Sequence, residues 1–374
     1  MGVSTNLEWS RFMYKRIIGI FIPKHHYESM KNEYSLHPAY AQYESTAEFY
    51  QLSVCFLCSD CTLSSNNIHV LLRDTENDKF KETMIPIPKV VYNRAHLNNK
   101  KVRQTLFYFI QSGSKVFNYI PIMNSKYFVH QLLEKEEHLI RYLPTTLKGT
   151  GKNLEYVLQH MENFFVKPCY SSIGKGIMNI QKEVDGHWYL YKKHTTKKSW
   201  EKSLFNSVEI NRVKRLFKQH PFIIQERIPL ATFQNRPFDL RVVVQKDGTG
   251  KWIISGIVAK LAPEGHVITN VARGGKIGLL QDYFTHDGIS IQDIQKNINT
   301  LGVDIAKALE KNWPHIADLG LDIGITESGT LYFIECNLRG QYGAFRKIKD
   351  YLPFWEKTHD IPIEYANYLM NQIE

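Results

Sequence analysis

At 374 residues the chain is long enough for two or three domains with a substantial core. Its 43% hydrophobic and 22% charged residues exclude a disordered, collagen-like or disulfide-scaffold protein. Lys plus Arg (47) exceeds Asp plus Glu (37), which suits an anionic ligand such as a nucleotide, an acidic polymer or a nucleic acid without choosing among them. The five cysteines, an odd number with no cleavable apolar leader before them, predict a reducing, cytoplasmic setting. No apolar run approaches the ~20 residues of a spanning helix, so no membrane partner is expected.

The first predicted element is the β-branched run 16–22, closed by Pro23, with further strands expected at 51–58 and 89–94. Strands separated by helix-sized gaps predict a small α/β domain over 12–120. Within it, Cys55, Cys58 and Cys61 offer three evenly spaced thiols. A closed zinc site takes four ligands and no completing pair lies nearby, so free structural thiols are expected.

Asn124 or Ser125 caps a predicted helix in which Phe128, Val129, Leu132 and Leu133 recur at helical spacing. Lys126 in its first turn opposes the helix dipole, so it is either a solvated cation or there for an anion. Residues 164–176 read as an apolar strand containing Lys167, then a small-residue loop with Ser171, Ser172, Gly174 and Gly176. Such a loop is either a plain turn or a cradle whose amides approach phosphate. A lysine inside an apolar strand favours the second, because burying it is costly unless an anion meets it.

The basic run 192–202 is expected to be a solvated loop; no aromatic cluster accompanies it, so nucleic-acid binding is not expected. A strand over 223–228 ends at Pro229. In the next, 237–244, Asp239 and Arg241 share one face while Leu240, Val242 and Val244 share the other. Arg241 is either an anion ligand or half of a structural pair with Asp239. Asn270 to Gly275 form a polar strand exit able to reach a transferring phosphoryl group.

The acids lie further on. Two apolar runs flank Ser328-Gly329, which predicts a hairpin with a two-residue loop. Glu327 then faces Thr330 and, counting outward, Asp322 faces Glu335. Opposed carboxylates sit about 4.5–5.5 Å apart at Cβ and repel, so a cation is expected between them. Asn337 shares the face of Glu335, and Cys336 points the other way. Three oxygen donors converge, a set suited to Mg²⁺ or Mn²⁺ shared with phosphate.

The order of these pieces over about residues 120–345 resembles the ATP-grasp superfamily. Within it, Tyr92-Asn93-Arg94 and the run from Ile334 to Gly340 resemble the YheC/YheD group of endospore coat-associated proteins; 237–244 and the hinge are more distantly similar to tubulin-tyrosine-ligase-like enzymes. The resemblance implies an α/β and α+β ATP-grasp fold: an N-terminal α/β pre-ATP-grasp domain (12–120), a linker helix and lid subdomain (121–225), and an antiparallel C-terminal subdomain (226–374). It implies that Lys126 and Lys167, with Ser171, Ser172, Gly174 and Gly176, bind ATP phosphates, and that Gln225, Glu226, Arg227 and Ile228 receive adenine and ribose. Asp322, Glu335 and Asn337 would hold Mg²⁺ (or Mn²⁺). Arg241, with Asn270 nearby, would stabilise charge on the transferring phosphoryl group. Lys175, Arg273 and Arg339 would serve there or bind an acidic substrate.

The implied activity is ATP-dependent joining of a small-molecule or peptide carboxylate to an amine through an acyl phosphate, releasing ADP and phosphate. A kinase on the same fold, or a spore-coat protein that keeps a nucleotide-binding shell without turnover, are the alternatives. The resemblance also makes the spore coat a second expected location.

Overall fold

β-Branched and aromatic runs assemble into three sheets in the computed structural model. It describes residues 16–373 except 33–36, 65, 75–76, 78, 122–124, 172–173, 194–199, 267–268, 270–273, 285–287, 341, 344 and 348–351. Asn124, Ser172, Asn270 and Arg273 therefore lie outside the described residues. So does the middle of the basic run 192–202.

The first sheet holds β1 (Ile17–Phe21), β2 (Ser53–Leu57), β3 (Leu63–Ser64), β4 (Asn67–Asp74), β5 (Lys79–Pro86), β6 (Val90–Asn93) and β7 (Lys115–Phe117). Its order is β3-β4-β2-β1-β6-β7, with β5 on β4. The four strands β2, β1, β6 and β7 are parallel. β1 is buried along its whole length because helices cover both faces: Ile18 and Ile20 meet Tyr40 and Tyr43 of helix Pro38–Phe49, while Ile17 and Phe21 meet Leu106 and Phe109 of helix Lys100–Gln111. The three expected strands are present. The β3–β5 extension was not expected, since β5 is mostly exposed and lacks an apolar signature.

Cys55 packs into one of these cores and Cys58 into the other, while Cys58 and Cys61 approach to 3.8 Å between sulfurs. The three thiols do not converge on one point. Burial pushes the Cys55 thiol well above its ordinary range, as suits a packing side chain.

The second sheet is antiparallel: β8 (Thr146–Lys148), β9 (Asn163–Pro168), β10 (Met178–Lys182), β11 (Trp188–Lys193), β12 (Trp200–Leu204) and β13 (Phe222–Glu226), ordered β12-β11-β10-β9-β13-β8. Helices Gly151–His160 and Ser207–Gln219 cover it through Leu154, Val157 and Val213. Asn206 caps the second of these by accepting the Val208 and Glu209 amides.

The third sheet comprises β14 (Thr232–Phe233), β15 (Arg236–Lys246), β16 (Trp252–Leu261), β17 (Lys276–Gly278), β18 (Asp318–Ile325) and β19 (Leu331–Asn337), ordered β17-β16-β15-β18-β19 with β14 on β15. Leu240, Val242 and Val244 of β15 and Leu319, Leu321, Ile323 and Ile325 of β18 pack on the apolar stripe Ile294, Ile298, Leu301, Ile305 and Leu309 of helix Ile291–Glu310. The opposite face carries Asp239, Arg241 and Lys260 towards one end and packs Val243 and Val258 towards the other.

The first and third sheets share a core, in which Tyr43 and Tyr92 pack with Val243, Val258, Trp355 and Tyr365, the last two from helix Leu352–Asn371. At its centre is Asp318, fully buried. Tyr92 donates to it at 2.6 Å, Arg94 at 3.1 Å and Gln245 at 3.2 Å. Arg94 also donates to the Gly340 carbonyl at 3.1 Å. Position 340 must be glycine here, since a Cβ would fall 1.7 Å from the Tyr342 hydroxyl. The two segments that carry the family resemblance, 92–94 and 334–340, thus meet in space. None of the described helices is long and apolar enough to cross a membrane.

Burial pushes Asp318 upward against the pull of Arg94 and Tyr92, so the pair survives through its hydrogen bonds. Asp318→Asn should strand the Arg94 charge and lower stability by about 3–5 kcal/mol. Urea unfolding checks this; a loss under about 1 kcal/mol would show that Arg94 does not depend on Asp318.

Candidate functional site

The hairpin β18–β19 places the acids. Asp322 pairs with Glu335 and Gly320 with Asn337, as the sequence predicts, but by a different route. The loop has three residues, not two: Thr326 donates to the Thr330 carbonyl at 3.0 Å, and Gly329 takes the left-handed conformation (φ 78°). Ile325 therefore pairs with Leu331 and Ile323 with Phe333, one residue off the expected register. A bulge at Ile334 then restores it. The bulge also has a purpose in the pleat. Residues two apart normally share a face, yet Phe333 is buried in the core under helix Ile291–Glu310 while Glu335 stands opposite Asp322.

Glycines flank the acid in Gly320-Leu321-Asp322-Ile323-Gly324, and the space is used by neighbours. A Cβ at Gly320 would lie 3.5 Å from the Arg241 guanidinium, and one at Gly324 would lie 2.8 Å from Leu230. Arg241, opposite Asp322 on β15, grips both carboxylate oxygens, with Nε–Oδ1 at 2.7 Å and Nη2–Oδ2 at 3.2 Å. The expected alternative of an Asp239–Arg241 pair is thus corrected: Asp239 is served by another cation.

That cation is Lys260, which sequence reasoning missed. From the last pleat of β16 it reaches Asp322 at 2.9 Å and Asp239 at 3.1 Å. Its signal was available, a lysine inside the apolar run Ile257-Val258-Ala259-Lys260-Leu261, the same pattern that drew attention to Lys167. Burial acts against the charge on Asp322, but Arg241 and Lys260 together hold it below the usual carboxylate range. Burial pushes Asp239 above that range despite Lys260.

Lys126 comes from the opposite side. Ser125 caps helix Lys126–Leu133 by accepting the Phe128 amide, and Lys126 donates to Glu335 at 2.5 Å. Lys167 on β9 donates to Gln225 at 2.6 Å, and Gln225 donates in turn to Thr146 at 2.9 Å. Burial lowers Lys167 to about 8, partly offset by Glu335. Lys126, Ser171, Gln225, Glu335, Asn337 and Arg339 line one cavity of about 250 Å³.

The hinge residues divide. Gln225 is at the cavity, whereas Glu226 is exposed and accepts the Thr145 amide at 3.2 Å. Arg227 turns to Gln181 at 3.1 Å, and Ile228 packs near Gly324. The Glu226 and Arg227 amides bond the Thr145 and Asn163 carbonyls, so these two residues would meet a base through carbonyl oxygens or side chains. Gly174 (φ 61°) and Gly176 (φ 74°) adopt the left-handed conformations the loop expectation rests on. Lys175 between them is exposed.

Among the described residues no three His, Cys, Asp or Glu side chains converge on one point, so a metal here would take Asp322, Glu335 and the Asn337 carbonyl, with phosphate supplying the rest. Among the described residues the buried Asn337 amide nitrogen has no hydrogen-bond partner. The all-oxygen donor set fits Mg²⁺. Both carboxylates meanwhile hold cationic side chains, so a divalent ion would share charges that are already compensated.

A mixed first sheet with four parallel strands and two antiparallel sheets around this site are the ATP-grasp fold. Macrocyclase MdnC of Microcystis aeruginosa MRC, solved with precursor peptide MdnA, shares it at TM-score 0.54 and 12% identity over 95% of this chain and 99% of that one. ATP-grasp ligase PsnB, solved with a minimal precursor, does so at TM-score 0.52 and 13% identity over 92% of this chain and 98% of that one. Residues 113–369 match the YheC/D like ATP-grasp family, and the chain belongs to it. A curated relative is the endospore coat-associated protein YheD of Bacillus subtilis (strain 168), 26% identical over 270 residues, which are 70% of this chain. The match spans 58% of YheD's length.

If Lys167 meets phosphate, its ammonium is fully present below about 8 and lost above it. Nucleotide affinity should hold below that pH and then fall by up to about tenfold per pH unit, with a proton taken up on binding. Calorimetry with Mg·ADP in buffers of different ionisation enthalpy checks this. Lys167→Arg should flatten the profile, and an unchanged slope in that variant would remove Lys167 from phosphate recognition.

Proposed function

We propose that the protein is an ATP-dependent carboxylate–amine ligase that works through an acyl phosphate. The observation that carries this is the in-register pair Asp322–Glu335, compensated by Arg241, Lys260 and Lys126, with Glu335 and Lys126 lining the cavity. Such a cluster concentrates positive groups around two acids, as needed where a triphosphate and a carboxylate must approach each other. Family membership supports ATP as substrate. The division at 12–120, 121–225 and 226–374 assigns the cleft to all three parts.

In this reading Lys126 and Lys167 hold ATP phosphates, and the hinge 225–228 takes the base. Mg²⁺ (or Mn²⁺), held by Asp322, Glu335 and Asn337, would neutralise the phosphate oxygens. Arg241 offsets the charge that gathers as a carboxylate oxygen attacks the γ-phosphorus and the bond to ADP breaks. An amine nitrogen then attacks the acyl carbon and phosphate leaves, giving an amide. Asn270 is proposed to assist at the same group. Lys260 is a positioning residue, since it ties Asp239 to Asp322 beside the Arg241 guanidinium.

The peptide bound to MdnC supports peptide carboxylates and amines as candidate substrates alongside small molecules. The relationship to YheD supports a link to the endospore coat, and the odd cysteine number supports a cytoplasmic site of action.

The test is ADP release from ATP with pools of amino acids and short acidic peptides. Release should need both a carboxylate and an amine; a phosphorylated product alone would identify a kinase. Glu335→Gln should cut turnover by about a hundredfold or more with circular dichroism unchanged. Undiminished turnover would remove the hairpin from the chemistry.

A further inference from the structure

The cavity has a wall that phosphate chemistry does not use. In the first sheet the chain crosses from β1 to β2 on one side and from β6 to β7 on the other, so the direction reverses between β1 and β6. Open α/β sheets bind ligands outside the carboxyl ends of the strands at such a reversal. Here the β6 exit supplies His96 and Asn98, helix Lys100–Gln111 supplies Arg103, and Arg339 reaches in from the segment after β19.

Among its described residues this wall carries Arg103 and Arg339 and no acid. Arg339 is half-buried, and its guanidinium donates to the Arg94 carbonyl at 2.6 Å and lies 3.1 Å from His96 Nε2. Among the described residues no carboxylate takes its hydrogen bonds. The buried acid Asp318 is occupied by Tyr92, Arg94 and Gln245. At the β1 exit, His26 lies 4.3 Å from His25 and 5.5 Å from His37 between ring centres. The one acid among the described cavity-lining residues is Glu335, which Lys126 holds. A half-buried arginine with histidines around it and no counter-charge is costly to keep unless an anion arrives. Guanidinium forks suit carboxylates bidentately.

We propose that Arg339, with His96 and Asn98, binds a second carboxylate of the substrate, so that the acid partner of the ligation is a molecule with at least two carboxylates. One is activated beside Arg241 and the other is anchored on this wall. The proposal rests on the ligase reading and narrows its substrate class. A free polycarboxylic acid and an acidic peptide carry the same chemistry.

The experiment is calorimetric titration of the full chain, saturated with Mg·ADP, using Glu-Glu-Glu, tricarballylate and Ala-Ala-Ala. At least one polycarboxylate should bind and Ala-Ala-Ala should not; the better of the two identifies the source. Arg339→Gln should weaken that binding by about tenfold or more and His96→Gln by about threefold, with ADP affinity unchanged. His96 is exposed, so its variant keeps the test decisive if Arg339→Gln unfolds. Absence of polycarboxylate binding, or equal binding in wild type and His96→Gln, with ADP bound normally overturns the proposal and leaves the ligase reading standing. Failure of Mg·ADP to bind the wild type overturns both.

Discussion

Two carboxylates held opposite each other across a strand pair set the terms for everything around them. Asp322 and Glu335 repel, and Asp322 is buried beyond the reach of screening water. The fold answers with cations from three separate places: Arg241 from the neighbouring strand, Lys260 from the strand beyond it, and Lys126 from a helix on the other side of the cleft. None of these could be dropped without leaving an uncompensated charge, which is why the third sheet, the linker helix and the cleft read as one electrostatic unit. The apolar face of the same sheet, buried on helix Ile291–Glu310, supplies the rigidity that holds those charges at fixed distances.

The site is also tied to the N-terminal sheet. Asp318 lies four residues before Asp322 on the same strand and is bound by Tyr92 and Arg94 from β6. Arg94 continues to Gly340, just past Asn337. The strand that presents the acids is therefore anchored at its base by the first sheet. This gives a physical reason for the motif 92–94 to accompany 334–340: the two are halves of one buried contact.

Much of this was legible in the sequence, because β-strand alternation separates Asp239 and Arg241 from Leu240 and Val242 without further information. The Asp322–Glu335 pairing was also legible, although only because two departures from a regular two-residue hairpin cancel. A two-residue loop was assumed where three residues form it, and the bulge at Ile334 adds back the missing position. A bulge has no signature in a run such as Leu331 to Glu335, where every residue before the acid is apolar or aromatic. For Lys260 the apolar run around it signals a buried cation, but its partners lie on two other strands, and strand order in an antiparallel sheet is a tertiary fact. The choice of Arg241 for Asp322 over its near neighbour Asp239 is of the same kind, since residues two apart on one strand are parallel neighbours while the cross-strand residue faces the guanidinium.

The proposed chemistry requires the paired acids to hold a divalent ion in the presence of nucleotide. Electron paramagnetic resonance of Mn²⁺ titrated into ADP-saturated protein separates free from bound ion without any substrate. A tight Mn²⁺ site is expected in the wild type, weakened by about tenfold or more in Glu335→Gln. Equal Mn²⁺ binding by the two proteins would rule out the hairpin as the metal site.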